Sequence, residues 1–144
     1  MIKKWHEFTR PIVICLFSNN GKILAAKGTD SVKQNQFYRP LGGMIEFGER
    51  SSDALRREIL EETGQEIMNL KYITTVENIF TYEGKAGHEI VMIYDAEFKD
   101  KSLYEKEDID VTEGDIWCKA YWLNINDCKS GKVILYPEGI LEGF

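Results

Sequence analysis

The chain has 144 residues, enough for one domain with a sizeable core and too few for two of ordinary size. Its 43% hydrophobic and 29% charged content excludes a disordered chain. The formal charge of −6 argues against broad capture of nucleic acid, which depends on Lys and Arg neutralising phosphates.

In chain order, Ile12 to Phe17 is a continuous apolar, β-branched run that predicts a central strand. Asn19-Asn20-Gly21 is a turn, after which Lys22 to Ala26 is expected to pair back as a hairpin. Ser31 to Gln36 reads as loop, and Phe37 to Leu41 as an extended stretch ended by Pro40. Ser51 to Thr63 is the one long helix predicted, with Ser51 or Ser52 as cap, Asp53 favouring the dipole and Gly64 as a left-handed stop. Lys71 to Tyr82 and Glu89 to Phe98 form a predicted long hairpin, and Lys99 to Gly114 reads as a charged, exposed loop. Ala120 to Leu123 is a late strand, and Pro137 suits the first turn of a short C-terminal helix. Without repeats or linkers, the expectation is a single domain over residues 1–144 of mixed α+β class. Cys15, Cys118 and Cys128 cannot all pair and lack CxxC spacing, and Cys15 reads as a buried core thiol. With no apolar run long enough to span a bilayer and no leader pattern before Trp5, the reading is cytoplasmic with no membrane partner.

The charge is unevenly spread. From Glu46 to Glu66 there are seven acids and three bases, a local net charge of −4. On a helix, Glu58, Glu61 and Glu62 fall within an arc of about 100°. Like charges at these spacings repel, so the trio is unfavourable unless a cation gathers it, and Arg57 cannot balance three carboxylates alone. Oxygen ligands without His or Cys nearby select Mg²⁺, Mn²⁺ or Ca²⁺ over Zn²⁺, and Mg²⁺ leaves positions open for substrate phosphates. The bland alternative is a solvated acidic face.

The flanking sequence tips this balance. Gly43, five residues, Glu49, seven residues, Arg57-Glu58-Ile59, one residue, Glu61-Glu62, one residue and Gly64 resembles the Nudix box of the Nudix hydrolases at every fixed polar and glycine position. Two departures are visible: Gln65 stands where the family has an apolar residue, with Ile67 available to replace its packing, and Leu41 intervenes between Pro40 and the glycine pair. The resemblance implies an α/β/α sandwich with a mixed, mostly antiparallel sheet. It also implies hydrolysis of a nucleoside diphosphate linked to another group, dependent on Mg²⁺ or Mn²⁺.

By position in the box, Glu61 and Glu62 are expected metal ligands, with Glu58 a ligand or the base that deprotonates water, and the Gly42 carbonyl a backbone ligand. Arg57 is expected to orient Glu61 or Glu49, while Glu49, Gly43 and Gly64 support the loop and helix. A further acid from outside the box is expected among Glu107, Asp108 and Glu113, and spacing does not choose between them. Tyr38 and Arg39 are candidate substrate contacts, weighed against strand packing and an ordinary surface arginine. His88 reads as a cap or surface residue. The aromatics Phe80, Tyr82, Tyr94, Trp117, Tyr121 and Trp122 read as core, with one or two available for a nucleobase slot. The expected partner is a small nucleotide derivative, with no nucleic acid, and the resemblance is compatible with a homodimer. The rival readings are a non-catalytic nucleotide-sensing Nudix module, which usually loses the box glutamates kept here, and hydrolysis of capped RNA, which calls for a basic channel.

Overall fold

The computed structural model describes residues 4–142. In chain order the strands are β1 (Thr9–Cys15), β2 (Ser18–Asn19), β3 (Lys22–Asp30), β4 (Asn35–Arg39), β5 (Gly42–Met44), β6 (Ile67–Tyr82), β7 (Lys85–Phe98), β8 (Asp108–Glu113) and β9 (Ile116–Asn124). The helices are α1 (Ser51–Thr63) and α2 (Ile125–Lys129), with two 3-10 turns at Trp5–Glu7 and Lys101–Glu105. One sheet runs β5-β1-β7-β6, with β1 parallel to β7 and the other pairs antiparallel. The second runs β2-β3-β9-β8 with β4 added on β3, and all its pairs are antiparallel.

The apolar run in β1 is buried on both faces because it lies inside a sheet covered on both sides. Val13 and Cys15 project into a core shared with Leu24, Leu55, Ile59 and Phe98, which pins α1 to the sheet. Ile12 and Ile14 project the other way, against Ile23, Val91, Ile93, Ile140 and Leu141. Leu41 and Ile67, at the two departures from the box pattern, are both buried in the first core. Ile67 therefore supplies the packing that Gln65 does not. Cys15 is fully buried, as expected of a core thiol.

One local expectation is narrowed and three are corrected. The hairpin around Asn20-Gly21 is present but short: β2 pairs with Lys22 and Ile23 and the Leu24 N–H donates to the Phe17 carbonyl at 3.1 Å, while the rest of β3 joins the second sheet through β4 and β9. No serine side chain caps α1: Arg50 holds the cap position in extended conformation, and the Ser51 hydroxyl instead meets the Tyr94 hydroxyl at 2.6 Å. The C-terminal end is as expected, with Gly64 at φ +73° and its N–H donating to the Leu60 carbonyl. Lys99 to Gly114 is not a loop, since β8 lies within it. There Ile109 and Val111 alternate inward while Asp108 and Asp110 face outward onto Lys119, so the surface charges hide a period-two strand. Finally, Pro137 starts no helix. The segment around Gly139, at φ +79°, forms turns, and the late helix is α2, capped by the Asn124 side chain.

Candidate active site

The glycine pair is where the backbone of β5 meets α1. Gly42 has φ +153°, and a Cβ there would lie 2.0 Å from the Val13 carbonyl oxygen. A Cβ on Gly43 would lie 2.3 Å from the Glu58 carboxyl carbon. Any other residue at position 43 would push Glu58 away, so the close approach is built from the absence of a side chain.

Arg57 organises the acids around it. Its Nε and Nη2 donate to the two oxygens of Glu49 at 2.8 and 2.9 Å, a forked pair, and Nη2 also donates to the Met44 carbonyl at 3.0 Å. Its Nη1 reaches Glu58 at 3.0 Å and Glu61 at 3.3 Å. The hydrogen bonds from Arg57 hold Glu49 down to about 2, so Glu49 is spent on fixing Arg57. The bond to Glu49, with those to Glu58, in turn raises Arg57 above its ordinary value. Arg57 thus ties the loop at Met44 and Glu49 to the carboxylates of the helix.

The helical face divides once packed. Glu61 stays exposed, while Glu62 falls on the stripe with Ala54, Leu55 and Ile59 and is only 8% exposed. Burial, then the negative charges of Glu113 and Glu58, push the Glu62 carboxyl up to about 9, against a donated Gly42 N–H that opposes the shift. Its Oε1 is buried and has no partner among the described residues. Burial also raises Glu58, opposed by Arg57 and assisted by Glu61 and Glu113.

Glu113 is the acid from outside the box that faces this cluster. Asp108 is occupied by Lys119 at 3.0 Å and Glu107 is exposed just before β8. The period of two chooses among them: Ile109, Val111 and Glu113 share one face of β8, the face that packs on α1. Of the other candidates, Tyr38 lies on the opposite face of β4 from Arg39 and packs edge-on against Tyr121 at 6.3 Å. Arg39 turns inward and donates to Glu89 at 2.8 Å. His88 sits in β7 with Nδ1 3.2 Å from the Thr9 hydroxyl, outside the acidic cluster.

The donor set fits a hard divalent cation. Every candidate group is an oxygen, and the buried, unpartnered oxygen of Glu62 is the kind of atom a cation satisfies. Among the described residues no three acidic, histidine or cysteine side chains converge into a ready-made metal cage.

A family model described as "NUDIX domain" matches residues 8–134. NAD-capped RNA hydrolase NudC of Escherichia coli is 30% identical over 73 residues, covering 51% of this chain and 28% of that protein, and NudC of Klebsiella pneumoniae aligns equally. The chain thus spans well under a third of the curated relatives it matches. Among solved structures, a MutT NUDIX hydrolase from Burkholderia pseudomallei superposes with a TM-score of 0.64 at 22% identity, covering 83% of this chain and 86% of that one. A NUDIX hydrolase from Nitrosomonas europaea gives 0.58 at 16% identity, covering 94% and 85%. These likenesses agree on the fold, and with a match over residues 8–134 the chain belongs to the NUDIX domain family.

Proposed function

We propose that the protein is a metal-dependent pyrophosphohydrolase acting on a small nucleotide derivative, a nucleoside diphosphate linked to a further group. The observation that carries this reading is the buried Glu62 carboxylate, one of its oxygens without a partner among the described residues, beside Glu58 and in the field of Glu113. Ionising three neighbouring carboxylates is unfavourable without a counter-charge, and a polyanionic substrate would be repelled by them. Mg²⁺ or Mn²⁺ supplies that charge when bound and polarises the phosphate oxygens. Glu58, Glu61 and Glu62, the Gly42 carbonyl and Glu113 are the groups that would hold it. Glu58, whose carboxyl burial raises above its ordinary value, is the group that would accept a proton from the attacking water, with Arg57 holding its carboxylate. Free Cys15, Cys118 and Cys128 suit a cytoplasmic setting. Among the described residues no helix is long and apolar enough to cross a membrane.

The name of the Escherichia coli relatives brings one specific substrate into the test, the pyrophosphate of NAD, free or at the end of an RNA. The decisive experiment is a panel with Mg²⁺ or Mn²⁺: nucleoside triphosphates including oxidised ones, ADP-ribose, dinucleoside polyphosphates, nucleotide sugars, NAD and NAD-capped RNA. Each is assayed with wild type, Glu58→Gln and Glu62→Gln. Turnover lost in both variants is expected. Turnover unchanged in both overturns the mechanism, and tight nucleotide binding without turnover anywhere favours a sensing module.

A further inference from the structure

Glu89 is fully buried in β7, outside the acidic cluster, and its carboxylate is completely engaged. Arg10 Nη2 donates to Oε2 at 2.5 Å, while Arg39 Nη2 and Asn78 Nδ2 donate to Oε1 at 2.8 and 3.2 Å. One carboxylate thus fixes two guanidiniums, leaving the group with a net positive charge in an acidic protein. Both arginines keep an accessible part, 21% and 30% of their side chains. Glu89 uses only one nitrogen of each, and the buried Nε of Arg10 has no acceptor among the described residues. A buried charged donor left unmade is costly, so it points to an acceptor brought from outside.

Flat apolar surfaces frame these donors. Trp5 lies over the Arg10 guanidinium at 5.7 Å and stacks parallel to Phe80 at 6.0 Å. Trp5 also approaches Tyr82, which meets Phe37 edge-on at 5.9 Å, and Phe37 shares the inner face of β4 with Arg39. This group is close to the proposed reaction centre. Arg39 is four residues from Gly43, so their Cα atoms are no more than about 14 Å apart.

We propose that the Arg10–Glu89–Arg39 group, walled by Trp5 and Phe80, recognises the base of the substrate and selects 6-oxopurine nucleotides over adenine nucleotides. The inference rests on the nucleotide-hydrolase reading above. The aromatic faces favour a flat ring, and a phosphate or carboxylate would gain nothing from them. Guanidinium offers only donors in a planar fork, which matches the O6 and N7 acceptors of a 6-oxopurine, whereas adenine presents an amino donor at position 6 and meets donor with donor. Glu89, with both oxygens occupied, anchors the arginines and makes no base contact of its own.

The test reads binding without turnover, by calorimetry with GDP, IDP and ADP in Mg²⁺ on the Glu58→Gln protein. GDP and IDP are expected to bind at least about fivefold more tightly than ADP, since a bidentate base contact discriminates by that much or more. Adding Arg39→Lys, which keeps the charge and removes the fork, is expected to bring the ratio close to one, with a thermal melt confirming that the variant is folded. IDP and ADP differ at position 6, so IDP binding like ADP overturns the proposal, as does a preference that survives both Arg39→Lys and Arg10→Lys. Hydrolysis in the wild type without base preference removes this inference and leaves the proposed function standing. Preference without hydrolysis does the reverse.

Discussion

Glu62 and Glu89 are both carboxylates closed off from solvent, at 8% and 0% exposure, and the fold treats them in opposite ways. Glu89 receives two guanidiniums and an amide, so its charge is neutralised by groups of the chain itself. Glu62 faces Glu113 and Glu58 instead, and one of its oxygens has no partner among the described residues. Burial alone therefore says little about role. A buried acid whose partners are all internal is a fixture that positions others, while a buried acid among like charges is set up for a cation from solution.

The largest effect expected from this contrast is on hydrolysis. Glu58→Gln removes a carboxylate that Arg57 holds in place and Glu62→Gln one that faces other acids, and kcat/KM in Mg²⁺ should fall by about 10³ or more while the fold is kept. Melting curves run beside the assays check the second half. If both variants unfold as readily as one lacking Glu89, the distinction between the two acids is lost. Glu89→Ala should do the converse, lowering the unfolding free energy by about 3 kcal/mol in urea titration, because two largely buried guanidiniums lose the carboxylate that pairs them among the described residues.

The two sites differ just as much in how far the sequence reveals them. The acidic site is local: Gly43, Glu49, Arg57, Glu58, Glu61 and Glu62 lie within twenty residues, and the helical period puts the glutamates on one face. The period alone does not say which of them is buried, because that depends on where the core lies, and Glu62 joins it while Glu61 does not. Glu113 was within reach of the same reasoning, since Ile109-x-Val111-x-Glu113 is a period-two pattern inside a charged segment. Of the Glu89 group only Arg39 was marked in the sequence, as a candidate substrate contact, and its partners were not legible. The contacts of Glu89 span 79, 50 and 11 residues, and only the parallel pairing of β1 with β7 and the inward turn of β4 bring them together. In sequence Arg10 and Glu89 are ordinary charged residues, and nothing local marks any of the three for burial.

A smaller effect follows from pH. Glu62 titrates near 9 in the folded protein against an ordinary 4.5, so between these values the folded state holds a proton that the unfolded state has lost. Stability contributed by the protonated carboxyl is then fully present below about 4.5 and is lost as pH rises towards 9. In the absence of divalent metal, the unfolding free energy of the wild type should drop by about 2 kcal/mol between pH 5 and pH 8 relative to Glu62→Gln, which carries no such proton. Mg²⁺ should reverse the drop in the wild type and leave Glu62→Gln unmoved. A parallel pair of pH curves would mean that Glu62 is as internally satisfied as Glu89.

The finest test of the contrast is Gly43→Ala. The new Cβ would meet Glu58 at 2.3 Å, but what it meets is the far end of a flexible side chain held by Arg57, not backbone. Glu58 can therefore swing away, and the loss of unfolding free energy should stay below about 1 kcal/mol. The displaced carboxylate can no longer approach the glycine loop, so kcat/KM should fall by about tenfold, with the loss mainly in kcat if Glu58 acts on the reacting water rather than on substrate binding. Glu89 has no such freedom, because moving it would strand both arginines at once. A Gly43→Ala protein that loses stability on the scale of Glu89→Ala would show that Glu58 too is a fixture of the fold, and the base assignment would pass to Glu62 or Glu113.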